Sequence, residues 1–241
     1  MKGIVLAGGL GTRLMPLTRI TNKHLLPVFD QPMIHYPIRY MVEAGLKEIL
    51  IVTGGNSAGD FLKLLRNGAE FGLRRLHYAY QEGEGGIAAA LSLAEDFADG
   101  GPVCVVLGDN ILQNSIAPYV KKFRHQGAGA KILLSKVTDP QRFGVPVIEG
   151  DRITRIEEKP ADPKSPYAVI GVYMYDNRVF DIIKTLKPSG RGELEITDVN
   201  NAYIEADELS WDVIDGWWTD AGTFESLLRA SNLVAEMQDK A

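Results

Sequence analysis

Short apolar runs and amphipathic stretches alternate along the first half of the chain. The apolar runs are the kind expected of strands buried inside a sheet. The four predicted strands are Gly3–Ala7, Glu48–Thr53, Leu76–Tyr80 and Val103–Leu107. The three predicted helices between them are Met33–Ala44, the segment Phe61–Leu65 and Ile87–Phe97, which have one apolar face. Strands that alternate with helices predict a parallel sheet with crossover connections.

The second half of the chain is richer in predicted strands and poorer in helices. Its predicted strands are Ile132–Ser135, Gly144–Ile148, Ile153–Glu157, Ala168–Tyr175 and Leu209–Ile214. Its predicted helices are Asn177–Thr185, Glu193–Ala206 and Phe224–Met237. Glu149-Gly150-Asp151 is typical of a hairpin turn. We therefore expect a single α/β domain over residues 1–241, an α/β/α sandwich with a mostly parallel mixed sheet and a small appended β portion.

Composition and charge narrow the class of protein. Hydrophobic residues make up 45% of the 241 residues and charged residues 24%, enough to fill a core. A net charge of -5 argues against a nucleic-acid partner, which usually requires a basic surface. The single cysteine, Cys104, lies in an apolar run and is interpreted as a buried thiol. No stretch resembles a secretory signal or a membrane span, so we expect a cytoplasmic protein without a membrane partner.

A glycine-rich segment, Leu6–Leu14, directly follows the first predicted strand. Glycines there allow backbone N–H groups to approach a phosphate, and the Arg13 guanidinium offers a planar fork of donors. The first acidic residue of the chain is Asp30, so this region is basic and suits a small anionic ligand. Leu14 occupies the third glycine position of a dinucleotide fingerprint, and no Walker A string occurs. From these residues alone, either a different nucleotide loop or a plain turn is possible.

Polar side chains follow several of the predicted strands. Asp109 comes after Val103–Leu107, at the edge where ligands of open α/β sheets bind, and Asp220 also follows a strand-like run. One or two carboxylates suit Mg²⁺, although aspartates are also common in turns and caps. Gln81 has an amide able to read a pyrimidine edge, whereas an ordinary polar strand end is the alternative. Glu158 and Lys159 suit a sugar phosphate, although from the residues alone an exposed charged strand end is favoured.

Six strings in a fixed order carry a resemblance that spans nearly the whole chain. They are Gly8–Leu14 with Pro16 and Lys23–Pro27, Leu107–Asn110, Phe143–Val145, Glu157–Pro160, Arg191–Asp198 and Trp218–Thr223. In these strings the chain resembles the sugar-nucleotidyltransferase family. The resemblance implies a Rossmann-like nucleotidyltransferase sandwich and an enzyme that joins dTTP to glucose 1-phosphate, releasing pyrophosphate. It also implies a Mg²⁺ cofactor, a homo-oligomer such as a dimer or tetramer, and a place in nucleotide-sugar and polysaccharide biosynthesis.

The resemblance also assigns site residues. The implied nucleotide-binding residues are Leu6, Ala7, Gly8, Gly9, Gly11, Thr12, Arg13, Lys23, Gln81, Gly86 and Asp109. The implied sugar-phosphate residues are Gly144, Glu158, Lys159, Val169 and Arg191. Arg13, Lys23 and Lys159 would be catalytic through their charge, while Asp109 and Asp220 would hold the metal. No general base is needed, so the four histidines, His24, His35, His77 and His125, are expected to be structural.

Three positions depart from the family's commoner pattern. Ala89 stands where glutamine is frequent, Ile170 where threonine is usual, and Leu10 where serine or threonine is common. These departures leave open a relative that uses UTP or another sugar 1-phosphate. A catalytically inactive sugar-nucleotide-binding regulator is a further alternative, and a Rossmann dehydrogenase is disfavoured by Leu14. Longer members carry an extra carboxyl-terminal helical segment with a regulatory nucleotide site, and this chain resembles the short form.

Overall fold

The computed structural model describes residues 1–239, whose strands and helices alternate along most of the chain. The strands are β1 (Lys2–Ala7), β2 (Pro27–Val28), β3 (Gln31–Pro32), β4 (Glu48–Gly54), β5 (Arg75–Gln81), β6 (Val103–Leu107), β7 (Asn110–Leu112), β8 (Ala130–Lys136), β9 (Gly144–Glu149), β10 (Arg152–Glu158), β11 (Tyr167–Tyr175), β12 (Leu209–Val213) and β13 (Trp218–Asp220). The helices are α1 (His35–Glu43), α2 (Ala58–Leu65), α3 (Ile87–Ser92), α4 (Glu95–Ala98), α5 (Ala117–Gln126), α6 (Val179–Thr185), α7 (Ile196–Glu205) and α8 (Phe224–Gln238).

A nine-stranded mixed sheet crosses the molecule in the order β10-β9-β11-β6-β1-β4-β5, with β8 paired to β11 and β12 to β8. Strands β6, β1, β4 and β5 are parallel to one another. Because helices cover both faces of β1, β4 and β6, these three strands are apolar along almost their whole length, and this explains why the sequence predicted them well. Strand β5 lies at the edge of the sheet and is only partly buried.

The antiparallel part of the sheet begins at β11, which runs against β6 and β8. Beyond the stretch that pairs with β6, β11 meets β9, where Val169 lies opposite Gly144. On its other edge this end of β11 remains paired with β8. Strands β9 and β10 form a hairpin beyond this point, joined at Glu149, Gly150 and Asp151. This hairpin is the small appended β portion that the sequence predicted.

Two hydrophobic cores lie on opposite faces of the sheet, and alternate residues of β1 supply both. Val5 points into the core that is packed by α1, α2, α5 and α8. Ile4 points into the core that is packed by α3, α4, α6 and α7. The predicted α/β/α sandwich is therefore confirmed. Cys104 is fully buried, and burial raises the pKa of its thiol to about 12, consistent with a structural role.

Some predicted boundaries were wrong. The predicted helix Ile87–Phe97 is two helices, because the Ser92 hydroxyl donates to the Ala89 carbonyl near the break and competes with the helical ladder. The helix predicted to start at Glu193 begins at Ile196, since the Leu194 N–H donates to the Gly85 carbonyl instead, at 2.8 Å.

Several elements were not predicted from the sequence. Helix α5 was missed, although a proline in its first turn and a following Gly127 at φ 85° mark its two ends. The short strands β2, β3, β7 and β13 were missed because two or three residues give too little periodicity. Within residues 1–239, no helix is both long and apolar enough to cross a membrane.

Candidate active site

A cleft of about 680 Å³ opens at the carboxyl ends of β1, β5 and β6 and extends to the β9–β11 region. All but one of the residues assigned from the sequence line it: Leu6, Gly8, Gly9, Gly11, Thr12, Arg13, Lys23, Gln81, Gly86, Asp109, Gly144, Glu158, Lys159, Val169, Arg191 and Asp220. The exception is Ala7, which is fully buried and whose carbonyl accepts a hydrogen bond from Asn22 Nδ2 at 3.3 Å.

The glycine-rich loop after β1 requires glycine for two physical reasons. Gly9 and Gly11 have φ of 89° and 64°, which other residues adopt at a cost. At Gly8 the reason is proximity, because a Cβ atom would lie 2.8 Å from Gln81 Oε1. The Leu10 N–H in this loop donates to Glu84 Oε1 at 3.0 Å, so a carboxylate already occupies one of the loop's backbone donors.

The loop 81–88, which carries the predicted base-reading Gln81, is joined through Leu194 to the segment that carries Arg191, a predicted sugar-phosphate residue. Gln81 is buried, and its Nε2 lies 3.4 Å from the Gly86 carbonyl. Leu194 donates its N–H to the Gly85 carbonyl at 2.8 Å and accepts from the Ala88 N–H at 3.2 Å. Gly86 has no room for a side chain here, because a Cβ atom would lie 2.7 Å from the Leu194 carbonyl oxygen.

A small ladder of two strands brings the distant carboxylates Asp109 and Asp220 together. Strand β7 runs antiparallel to β13, and Asn110 lies opposite Asp220. The Ala221 N–H also donates to the Asp109 carbonyl at 2.8 Å. Asn110 then fixes the Asp109 side chain by donating from Nδ2 to Oδ1 at 3.0 Å. This pairing supplies the contact that the residues alone could not establish.

Charges converge beside Gly222. The position of a Cβ atom on Gly222 would be 3.1 Å from Arg13 Nη2, 3.2 Å from Asp220 Oδ2 and 3.6 Å from Asp109 Oδ2. Lys23 Nζ lies 2.5 Å from Asp109 Oδ2. Burial opposes ionisation of Asp109, but the charge of Lys23 and the hydrogen bonds from Lys23 and Asn110 act together against it, and the pKa of this carboxyl lies well below its usual range.

Asp220 has the opposite tendency. Burial raises its pKa, and the neighbouring Asp109 charge raises it further, while Arg142 and Arg13 lower it. Two carboxylates held this close repel each other, so the site favours cations between and around them. Arg142 Nη2 lies 3.6 Å from Asp220 Oδ2 and is part of this arrangement.

His24 lies beneath these charges as a neutral, structural ring. It is buried, and burial lowers its pKa to about 3. Its Nδ1 is 2.7 Å from Asn22 Oδ1, and its ring packs so closely on Gly108 that a Cβ there would meet it at 2.6 Å. The sequence-based expectation of a structural His24 agrees with this environment.

Three of the predicted sugar-phosphate residues are neighbours across three strands. Gly144 of β9 lies opposite Glu158 of β10 on one side and opposite Val169 of β11 on the other. Glu158 accepts a hydrogen bond from Thr197 Oγ1 at 2.6 Å and lies 3.5 Å from Lys159 Nζ. Lys159 has φ 46°, a conformation that non-glycine residues adopt rarely and often at functional sites.

Arg191 is held by a carboxylate that the sequence analysis did not include. Its Nε and Nη2 donate to Glu195 Oε1 and Oε2 at 3.2 and 2.7 Å, a bidentate pair. Ser189 Oγ also donates to Glu195 Oε1 at 2.7 Å. Arg191 Nη2 is 3.4 Å from Glu158 Oε1, so the guanidinium links the two glutamates.

Several further lining residues were not assigned from the sequence. They are Asn110, Arg142, Thr197, Glu195 and Trp218. All but Arg142 lie inside the six strings of the resemblance, so their position in those strings was an available signal. Trp218 Nε1 and the Gly171 N–H both donate to Asn110 Oδ1, at 2.7 and 2.8 Å, which makes Asn110 the connection between three elements of the site.

Comparison with known families agrees with this geometry. The model of the family described as Nucleotidyl transferase matches residues 2–237. The chain therefore belongs to the nucleotidyl transferase family, and the protein is a nucleotidyltransferase.

Within this family, several curated relatives of the chain share one name. A Neisseria gonorrhoeae protein named glucose-1-phosphate thymidylyltransferase is 45% identical over 243 residues, which cover 99% of this chain and 84% of that protein. A Mycolicibacterium smegmatis protein with the same name is 43% identical over 242 residues, covering 99% and 83%. The chain thus spans most of the length of these relatives.

Solved structures give the same fold. A Bacillus anthracis protein assigned as a glucose-1-phosphate thymidylyltransferase, in complex with a sucrose, superposes with a TM-score of 0.93 at 52% identity. The match covers 97% of this chain and 94% of that one. A UDP-glucose pyrophosphorylase complexed with UDP-glucose has a TM-score of 0.85 at 24% identity, covers 98% of both chains, and supports the fold.

Proposed function

We propose that this protein transfers a thymidylyl group from dTTP to glucose 1-phosphate, giving dTDP-glucose and pyrophosphate. The names of its relatives support the pair of substrates. The observation that carries the proposal is the convergence beside Gly222, where Arg13, Asp109 and Asp220 approach one point. Such a cluster suits the meeting of two phosphates, whose mutual repulsion is the main obstacle to this reaction.

The chemistry requires charge neutralisation more than proton transfer. A phosphate oxygen of the sugar 1-phosphate, already an anion, attacks the α-phosphorus, and pyrophosphate leaves from the opposite side. Arg13 and Lys23 neutralise the α-phosphate and the departing pyrophosphate, while Lys159 holds the incoming phosphate. His24, whose pKa is about 3, remains uncharged at neutral pH and takes no proton in the reaction.

The donor set is compatible with a magnesium ion. Among residues 1–239, no group of three or more His, Cys, Asp or Glu side chains forms a metal cluster. Asp109 and Asp220 form a two-carboxylate pair instead, and Mg²⁺ commonly uses one or two carboxylates with substrate phosphates and water. The mutual repulsion that raises the pKa of Asp220 is what a cation held by the pair would relieve. Mg²⁺ would supply further charge neutralisation at the phosphates.

The two ends of the cleft divide the recognition of the substrates. Gln81 and Gly86 lie beside the glycine-rich loop and read the pyrimidine edge. At the opposite end, Glu158 accepts hydrogen bonds from the sugar hydroxyls, beside Gly144 and Val169. The remaining nucleotide-side residues bind through the loop backbone, while Arg191 lies beside Glu158 at the sugar end.

A pyrophosphate-release assay tests the proposal. We expect turnover with dTTP and glucose 1-phosphate, lost when EDTA removes Mg²⁺, and weaker turnover with UTP, galactose 1-phosphate or N-acetylglucosamine 1-phosphate. Faster pyrophosphate release with another nucleotide or sugar 1-phosphate would change the proposed substrates and leave the proposed reaction type unchanged. No release with any pair, despite binding of the sugar nucleotide, would favour the catalytically inactive regulator.

The proposal also covers the location of the enzyme, its assembly and the use of its product. We place it in the cytoplasm, as one domain that assembles into a homo-oligomer and supplies nucleotide sugar for polysaccharide synthesis. Light scattering coupled to size-exclusion chromatography would test the assembly. A monomer at micromolar concentration would contradict this part of the proposal and leave the reaction untouched.

A further inference from the structure

Arg142 is a cation of the cleft that lies outside the six strings of the resemblance. It ends a 3₁₀ turn over Pro140–Arg142 that leads directly into β9, and it lines the cleft between the sugar side and Asp220. Its side chain is 34% exposed, so a substrate can reach it. The position alone does not make it functional, because half-exposed arginines are common at cleft edges.

Two neighbours position the Arg142 side chain. Nη1 donates to Asp139 Oδ2 at 2.8 Å. The guanidinium lies over the Phe143 ring, 5.2 Å from its centre, and this ring packs edge-on against Trp218 with the ring centres also 5.2 Å apart. An unrestrained arginine would lose much conformational entropy on binding a ligand. Here Asp139 and Phe143 have already removed part of that freedom.

The same turn positions a residue of the sugar-phosphate side. The Phe143 carbonyl, next to Arg142, accepts a hydrogen bond from the Lys159 N–H at 2.9 Å. One short segment, Arg142 and Phe143, therefore also positions Lys159, and Gly144 is the next residue along the chain. A phosphate that contacts Lys159 at this end approaches Arg142 from the same wall of the cleft.

The opposite side of the guanidinium faces the carboxylate pair. Nη2 lies 3.6 Å from Asp220 Oδ2, within ion-pair range but longer than a hydrogen bond. Within residues 1–239, Nη1 is the only guanidinium nitrogen of Arg142 that makes a hydrogen bond. Donors at Nη2 and Nε are thus available to an acceptor that enters the cleft. Arginine suits this task because its planar fork matches two phosphate oxygens at once.

We propose that Arg142 is a further catalytic residue, whose guanidinium binds the phosphate of the sugar 1-phosphate beside Lys159 as it attacks the nucleotide. This inference rests on the proposed function. Asp139 is its positioning residue. Arg142 places its charge between the incoming phosphate and Asp220, so it neutralises the nucleophile without contacting the base or the leaving pyrophosphate.

Steady-state kinetics with each substrate varied in turn test the assignment. We expect R142Q to lower kcat/KM for glucose 1-phosphate about 10²-fold, as loss of one charge-stabilising donor typically does. The KM for dTTP should remain within about twofold, because Arg142 lies on the opposite wall. R142K keeps the charge but loses the fork and should retain about a tenth of the activity, whereas D139N should lose only a few-fold.

The matched control is R155Q. Arg155 lies on the neighbouring strand β10, is 61% exposed and does not line the cleft, so its kinetics should match the wild type. Each variant is first shown to unfold at the wild-type temperature. Wild-type kinetics for R142Q would overturn the proposal, as would a KM for dTTP that rises as much as the KM for glucose 1-phosphate.

Direct binding separates this inference from the proposed function. If the wild type releases no pyrophosphate from dTTP and glucose 1-phosphate, the proposed function fails. Calorimetric titration with glucose 1-phosphate then judges Arg142 alone. Binding to the wild type that is at least about tenfold tighter than to R142Q supports a phosphate contact. Equal binding to the two proteins overturns it.

Discussion

The two walls of the cleft hold their charges in different ways. On the wall proposed to bind the nucleotide, called the nucleotide wall, Lys23 and Asp109 form an ion pair whose side chains are only 15% and 14% exposed, beneath a loop that offers backbone donors. On the wall proposed to bind the sugar phosphate, called the sugar wall, Lys159 and Arg191 are 47% and 42% exposed. Their partners are the glutamates of the same wall, and Arg191 lies within ion-pair distance of three of them.

This difference separates a preorganised wall from an adjustable one. Buried, fixed charges need little rearrangement when a phosphate arrives, so they contribute strongly to the transition state. An exposed cation that pairs with several carboxylates must give up some of these ion pairs when it binds a phosphate. Solvent also weakens each ion pair. We therefore expect substitutions on the nucleotide wall to lower kcat, and those on the sugar wall to act mainly on the KM of glucose 1-phosphate.

The largest contrast should appear between Arg13→Ala and Arg191→Ala. Arg13 is exposed, unlike the Lys23–Asp109 pair, but its guanidinium reaches the point where the carboxylates converge, so we expect R13A to lower kcat by about 10²–10³ or more with the fold intact. R191A should instead raise the KM for glucose 1-phosphate about tenfold, with a smaller change in kcat. Pyrophosphate-release kinetics measure both. R19A, an exposed arginine of the same loop, is the control, and an R13A enzyme that keeps most of its turnover would contradict the comparison.

Substituting one lysine on each wall should change the free energy of unfolding by different amounts. K23M leaves the Asp109 carboxylate buried without its cation, which we expect to reduce the free energy of unfolding by on the order of 3 kcal/mol at neutral pH. K159M removes an exposed charge and should change it by less than about 0.5 kcal/mol. Urea unfolding followed by circular dichroism provides the measurement. Equal stability of the two variants would mean that the Lys23–Asp109 pair contributes nothing to the fold.

Two glycine substitutions place one methyl group on each wall. In G222A the new Cβ would lie 3.1 Å from Arg13 Nη2 and 3.2 Å from Asp220 Oδ2, so these groups must shift. We expect kcat to fall about tenfold. In G144A the nearest atoms are side-chain atoms of Ile156 and Thr197 at 3.3 and 3.4 Å, which can move aside, and the effect should stay below about threefold. The reverse order of severity would show that the nucleotide wall is the more adaptable one.

The smallest expected effect concerns Glu84, the carboxylate that accepts from the Leu10 N–H. A triphosphate that uses this loop must displace it. We expect E84Q to lower the KM for dTTP about two- to threefold, because a neutral amide competes less well for the donor than a carboxylate. E82Q, an exposed glutamate two residues away, is the matched control. An increase in KM would mean that Glu84 assists the nucleotide instead of competing with it.

The sequence was most informative where structure is local. Strands β1 and β6 were predicted because complete burial makes them continuously apolar. The Rossmann-like class and the site residues, by contrast, depended on the order of six strings. The structure brings these strings to one cleft, but their roles stay predictions that the variants above test. Physical reasoning from single residues left Asp220 and Glu158 as ordinary polar positions.

Sequence patterns failed where a residue's environment is set by a distant partner. The start of α7 is decided by the contact of Leu194 with Gly85, far away in the chain. The approach of Asp109 to Asp220 depends on the ladder between β7 and β13, which is too short to produce a periodic signal. In the sequence, Arg142 looks like an ordinary arginine after a proline. Its proposed role depends on contacts with the Phe143 ring and the Asp220 carboxylate, and the sequence does not show these contacts.

The β7–β13 ladder makes the order of synthesis matter for this enzyme. The ribosome makes the glycine-rich loop well before it makes Asp220, the carboxylate that completes the charged centre. Helix α8 secures it, beginning right after Gly222 with a reciprocal cap between Thr223 and Ser226. A chain interrupted before Trp218 would carry the loop without its second aspartate. The charged centre can therefore become complete only after β13 is made, when strands β1 to β12 have already been synthesised.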